Sequence, residues 1–208
     1  MLVPFIQGAG VGGGLIIAIG AQNAFVLSQG VRRNHPFQIA LLCGFCDAVL
    51  ILLGVSGVGT LVASSPLLGQ IAAWGGALFL FWYGMRSLQS ALRGGTLETD
   101  STNKQSLSAA LGATLAVTLL NPHVYLDTLV LLGSISGQFP GNERFLFGAG
   151  AMTASFTWFF ALSLGAGLLA PLFRKQLAWR ILDTLVFLTM WGIGLSLVWG
   201  QISGVAQI

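Results

Sequence analysis

Two carboxylic acids, Asp47 and Asp127, stand at the edges of long apolar runs and are the residues best placed to do chemistry. Uncharged stretches cover 1–31, 48–85, 105–126, 145–173 and 184–208. An acid held in hydrocarbon costs about 2.5–3.5 kcal/mol at a helix centre on insertion scales, so such residues face a wet cavity or a partner and mark a pathway. No basic residue is expected at comparable depth, because Arg86 lies near the end of its apolar segment, where its stem can snorkel outward. A cation that arrives, or a proton that is gained and lost, relieves an acid in that position. The alternative for each is a neutral carboxyl that only bonds one helix to another.

Polar residues also interrupt two apolar segments. The first carries Gly20-Ala21-Gln22-Asn23 and the second Asn121-Pro122-His123. Proline has no N–H and clashes with the preceding turn, so a kink or unwinding is predicted near 118–122. Backbone groups freed inside a membrane must line a cavity or bond to protein. Gln22, Asn23 and Asn121 offer both donors and acceptors, the groups that hold an amino acid's carboxylate and amine. The plainer reading is a kink whose lost bonds are made good by these side chains, with Gln22 and Asn23 joining helix to helix.

His123 and Asp127 are four residues apart and could share a helix face. The chain has no H-E-x-x-H and no third ligand at good spacing, so His123 is read as a hydrogen-bond partner beside the break. Tyr125 could support the same polar lining. Cys43 and Cys46 form a C-x-x-C, but on an apolar helix free cysteine behaves as a small hydrophobe. Gly8-Ala9-Gly10-Val11-Gly12-Gly13 fits a dinucleotide-binding pattern by letter, without the strand such a motif needs. The pairs Gly8/Gly12 and Gly10/Gly14 read better as close helix contacts, and glycine faces of this kind permit a homodimer. No phosphate-binding G-x-x-x-x-G-K-[ST] occurs. No cofactor and no metal is expected.

The elements that position these residues follow from composition. Of 208 residues 7 % are charged and 55 % hydrophobic, with mean hydropathy +0.84. A soluble globule cannot cover its surface that way, since soluble domains carry about 25 % charge. A disordered chain and a nucleic-acid binder with a basic face are excluded too. The expectation is an all-α polytopic membrane protein with six transmembrane helices, roughly 3–27, 37–61, 70–92, 107–133, 145–169 and 181–201. Ala63-Ser64-Ser65-Pro66 divides the 48–85 run. The first charge is Arg32, so a secretory signal peptide, with its positive start, is not expected. Lysine and arginine total nine, and eight lie in the loops after spans one, three and five: Arg32, Arg33, Arg86, Arg93, Lys104, Arg174, Lys175 and Arg180. Only Arg144 is on the other side. The positive-inside rule makes the rich side cytoplasmic and sends both termini outward; the alternative is a cytoplasmic N-terminus with five spans, one segment being only half inserted. The net charge of +3 is this bias and implies no nucleic-acid partner.

The halves echo each other. Phe79-Leu80-Phe81-Trp82-Tyr83-Gly84 aligns with Phe187-Leu188-Thr189-Met190-Trp191-Gly192, and Gln22-Asn23 aligns loosely with Asn121-Pro122. Three spans per half would make the repeats inverted, an arrangement that places a binding site at mid-membrane between paired broken helices. The single transmembrane domain then divides into a first repeat (1–92), a polar linker (93–106) and a second repeat (107–208).

Gly-Ala-Gln-Asn-Ala-Phe-Val-Leu at 20–27, Ala-Leu-Leu-Cys at 40–43 with Asp47, Trp82-Tyr83-Gly84, and above all Leu-Asn-Pro-His-Val-Tyr-Leu-Asp-Thr at 120–128 resemble the LysE-type family of bacterial exporters. Within it the chain is most similar to the lysine and arginine exporters. The resemblance implies a transporter of the cytoplasmic (inner) membrane that moves basic amino acids outward, driven by ion gradients. It also implies that Asp47, Asp127 and both breaks serve transport. The family pattern has proline where this chain has Ala21, which predicts a milder break in span one than in span four. Combined with the residues, this gives a secondary exporter of arginine and/or lysine using alternating access and protons or another coupling ion. A passive channel for small cations and an intramembrane enzyme are the competing readings.

Overall fold

A computed structural model describes residues 2–17, 20–57, 66–93, 105–169 and 175–203. The described elements are helical throughout, in the order α1 (Leu2–Ile17), α2 (Ala21–Val31), α3 (Pro36–Val55), α4 (Pro66–Arg93), α5 (Leu107–Leu119) and α6 (Pro122–Tyr125). A π-helical segment (Leu126–Leu131), α7 (Leu132–Ser136), α8 (Glu143–Gly165) with a 3₁₀ turn (Ala166–Leu169), and α9 (Gln176–Ile202) complete the chain. Proline opens α3, α4 and α6, where the missing N–H is one that a helix start leaves unbonded in any case. The divider at 63–65 lies outside the described residues, as does most of the polar linker.

Among the described residues three helices are long and apolar enough to cross a membrane: Pro36–Val55, Glu143–Leu168 and Gln176–Ile202. Two bent pairs, α1 with α2 and α5 with the stretch His123–Ser136, raise the number to five if each pair is one span. The remaining expected span, the third in order, corresponds to α4. Its 28 residues are ample in length, but Gln70, Trp74, Trp82, Tyr83 and Arg86 dilute its apolar character.

Both breaks are present, and the expectation about their relative size is corrected. The bend between α1 and α2 is 78°, against 65° in span four. Proline is therefore not required. Gly20 takes an extended conformation (φ −138°, ψ 176°) and ends the helical path before α2. The Asn23 side chain then donates to the Ile16 carbonyl at 2.8 Å, satisfying a group that α1 leaves open at its end.

Packing joins the two halves. α1 lies along α8, α3 packs on α8 and on the α5–α7 region, and α4 lies along α9. Glycine permits the first seam. A Cβ at Gly8 would overlap the Phe147 backbone, one at Gly150 would overlap the Phe5 carbonyl, and one at Gly12 would stand 2.8 Å from Ala151. Among the described residues nothing lies within 4 Å of a Cβ built at Gly10 or Gly14, so that pair makes no close helix contact there, contrary to expectation. The echoing aromatic segments meet at the α4–α9 seam. Phe81 and Trp191 pack edge to face at 5.1 Å, and the indole N–H of Trp191 donates to the Phe81 carbonyl at 3.3 Å. Cys43 and Cys46 are buried free thiols.

Candidate functional site

The two breaks open onto one cavity of about 270 Å³. Its polar lining is Gln22 and Asn23 from α2, Asp47 from α3, Asn121 and His123 from the second break, Asp127 and Thr128 from the π segment, and Ser196 from α9. Leu15, Ile16, Phe159 and Ile193 supply apolar wall. The volume falls below the roughly 300–1,000 Å³ of drug-sized pockets and suits a small solute. Six of the eight site residues expected from sequence line this space. Tyr125 does not: its hydroxyl donates to the Leu119 carbonyl at 2.6 Å and so caps the end of α5. Pro122 starts α6 at the break.

Asp47, Gln22, Asn23, Asn121 and Thr128 are each held by a partner. Asp47 is 3 % exposed, and Ser155 Oγ on α8 donates to its Oδ2 at 2.7 Å. Gln22 Nε2 donates to Thr118 Oγ1 at 3.0 Å, which ties α2 directly to the end of α5. Asn23 Oδ1 receives the Trp158 indole N–H at 3.2 Å while its amide caps α1. Asn121 Oδ1 accepts the backbone N–H of His123 at 3.2 Å, as an Asx side chain does at a helix start. The two breaks thus share a design: a side chain beyond the bend (Asn23 or Tyr125) bonds a carbonyl stranded before it.

Asp127 sits in the first turn of the π segment, where the Leu132 N–H bonds back to the Asp127 carbonyl. Such an i→i+5 register inserts one residue into the helix and is common at functional sites. Asp127 and His123 are less enclosed than Asp47: Asp127 is half-buried and His123 exposed. Among the described residues no group of three metal-binding side chains occurs.

Sequence reasoning missed the residues that hold the site. Ser155 and Trp158 come from α8 and Thr118 from the last turn of α5, and their only signal is a polar atom in an apolar helix. It also passed over Asp183, a second fully buried acid. Asp183 is 1 % exposed and receives Arg32 Nη2 at 2.6 Å, a pair 151 residues apart. Arg32 was expected in an open loop; here its guanidinium lies 4.7 Å from the Trp179 ring centre.

The LysE type translocator family model matches residues 14–201. The chain is 46 % identical over 200 residues to the arginine exporter protein ArgO of Serratia proteamaculans, covering 96 % of this chain and 98 % of that one. It is 46 % identical over 198 residues to the arginine exporter protein ArgO of Pectobacterium carotovorum, covering 95 % and 97 %. A protein of Aeromonas salmonicida named YggA, provisionally called an amino-acid transporter, is 48 % identical over 203 residues, covering 97 % and 98 %. No solved structure matches at a significant level. With long apolar helices, a polar cavity at two helix breaks and a match over nearly the whole chain, this multi-pass membrane protein belongs to the LysE type translocator family.

Proposed function

We propose that the protein is a secondary exporter of basic L-amino acids, arginine and/or lysine, working by alternating access and coupled to the proton gradient. The observation that carries the reading is the cavity: a buried acid, a second acid and the polar residues of both breaks face one small space. Near relatives named arginine exporters point to the same substrate class. The α-carboxylate and α-amine of the solute bond to Gln22, Asn23, Asn121 and the unwound backbone. Asp47 pairs with the cationic side chain or carries the exchanged proton. Asp127, closer to the exterior, takes up protons there or aids release.

In this reading α4 is the third of six spans, and both termini face outward from the bacterial cytoplasmic membrane. Helix pairing supports two inverted three-helix repeats, 1–92 and 107–208. Exchange of span one with four, two with five and three with six turns the α1–α8 pairing into that of the α5–α7 span with α3. The α4–α9 and α3–α8 pairings map onto themselves. A list of contacts that survives this exchange is what a pseudo-twofold axis in the membrane plane produces.

The test is uptake of radiolabelled arginine and lysine into inverted membrane vesicles. Uptake should saturate, should rise when the vesicle lumen is made acidic, and should fall when the pH difference is collapsed. Equal flux with and without the gradient would favour a channel and end the exporter reading. A smaller effect is expected at the Asp47 support: Ser155→Ala should lower the initial rate about tenfold with unchanged protein level, as loss of one bond to a buried charge is worth about 1.5–3 kcal/mol. Ser155→Thr, which keeps the donor, should retain most of the rate.

A further inference from the structure

We propose that Asp183 and Trp179 form a second guanidinium-binding site, a loading site below the cavity, which the protein's own Arg32 occupies in this conformation. The proposal rests on the arginine-export reading for the identity of its ligand. Asp183 and Trp179 present what a guanidinium needs: a carboxylate for its planar fork of donors and an aromatic face to lie on. Arg32 already uses both, with Nη2 2.6 Å from Asp183 Oδ1 and Cζ 4.7 Å from the indole centre. Its Nε donates to Ser28 Oγ at 3.3 Å. The fit is incomplete, because Asp183 Oδ2 is buried with no hydrogen-bond partner. Buried carboxylate oxygens are ordinarily bonded, and a free guanidinium can bridge both oxygens where a tethered one reaches a single oxygen.

The position suits loading. Gln22 and Ile193 line the cavity, while Arg32 and Asp183 lie ten residues further along α2 and α9. Ten helical residues span about 15 Å, so the ion pair stands that far below the cavity on both helices. Between them Phe25, Val186 and Met190 are at most 2 % exposed, an apolar packed stretch on these two helices. The end in question is the one where lysine and arginine collect. Arg32 comes from the first half of the chain and Asp183 from the second, so the pair bolts the halves together. A solute guanidinium that takes Asp183 must displace Arg32 and release α2 from α9. Arrival of substrate and opening of the path are then one event. Lysine, with a compact ammonium, matches the carboxylate-and-indole pair less well.

Opposite effects from the two partners are the signature. In inverted vesicles Arg32→Gln should lower the arginine concentration for half-maximal uptake about fivefold, and Asp183→Asn should raise it tenfold or more, as loss of a charged partner does. Arg32→Lys, the milder variant, should lower it about twofold if the glutamine protein does not fold. A shift in the same direction for both partners, or restoration of wild-type uptake by exchanging the two charges, would mark a purely structural pair and overturn the proposal. A second readout needs no transport. L-Arginine should raise the melting temperature of purified Arg32→Gln by several degrees more than that of wild type, citrulline should not, and this excess should vanish in Arg32→Gln with Asp183→Asn. If this shift holds while wild type carries no arginine, export falls and the site stands. If folded Arg32→Gln shows no shift, the site falls whatever the vesicles do.

Discussion

Asp47→Asn is expected to abolish arginine efflux, to at least about a hundredfold below wild type, with no loss of folded protein from the membrane. The amide has the shape of the acid and can still accept the Ser155 hydrogen bond, so packing is preserved. The negative charge is lost, and with it any proton the site can exchange. Two unit charges 4 Å apart interact by about 4 kcal/mol at an effective dielectric of 20, which is nearly three decades in rate or affinity. Cells loaded with arginine and then diluted supply the measurement, with immunoblots of membranes as the control. Asp127→Asn should be milder, about tenfold, because a half-buried acid is better screened by water. Wild-type efflux in both variants would leave the cavity without a transport role.

The second large effect concerns the fold rather than the site. Gly150→Leu and Gly8→Leu should each remove most monodisperse protein from detergent extracts, while Gly10→Leu should leave the yield near wild type. At Gly150 a side chain meets the Phe5 carbonyl, and at Gly8 it meets the Phe147 backbone; neither can rotate away as a side chain would. Overpacking of a tight contact costs about 1–3 kcal/mol where neighbours can adjust, and more where they are main chain. Gly10 faces open space. Equal losses at all three positions would point to glycine's effect on helix propensity instead of to the seam.

Much of this was legible in one sequence because a membrane imposes strong constraints. Uncharged runs about 20 residues long locate helices, and the Asn121-Pro122 break follows from a missing N–H. The polar groups at both breaks had to turn toward a cavity or a bond, and Gln22, Asn23, Asn121 and His123 do line one. What escaped was contact between distant residues. Nothing local marks Arg32 and Asp183 as partners across 151 positions. Ser155 looks like any small polar residue until α8 is laid against α3. Tyr125 was assigned to the lining by its neighbours in sequence, yet its hydroxyl reaches back to Leu119. The first bend was underestimated because proline was taken as its cause, whereas an extended Gly20 and the Asn23 cap suffice.

The crossing of partners between the halves has a consequence for biogenesis. α1 finds its companion in α8 and α4 finds its own in α9, so the stretch synthesised first reaches the bilayer with its glycine-lined seam uncovered. It stays that way until residue 150 and beyond have left the ribosome. Tertiary folding is therefore post-insertional and late, and the nascent first half must wait in lipid as separate helices. Two gene fragments cut in the linker should yield active protein when co-expressed and none when produced apart.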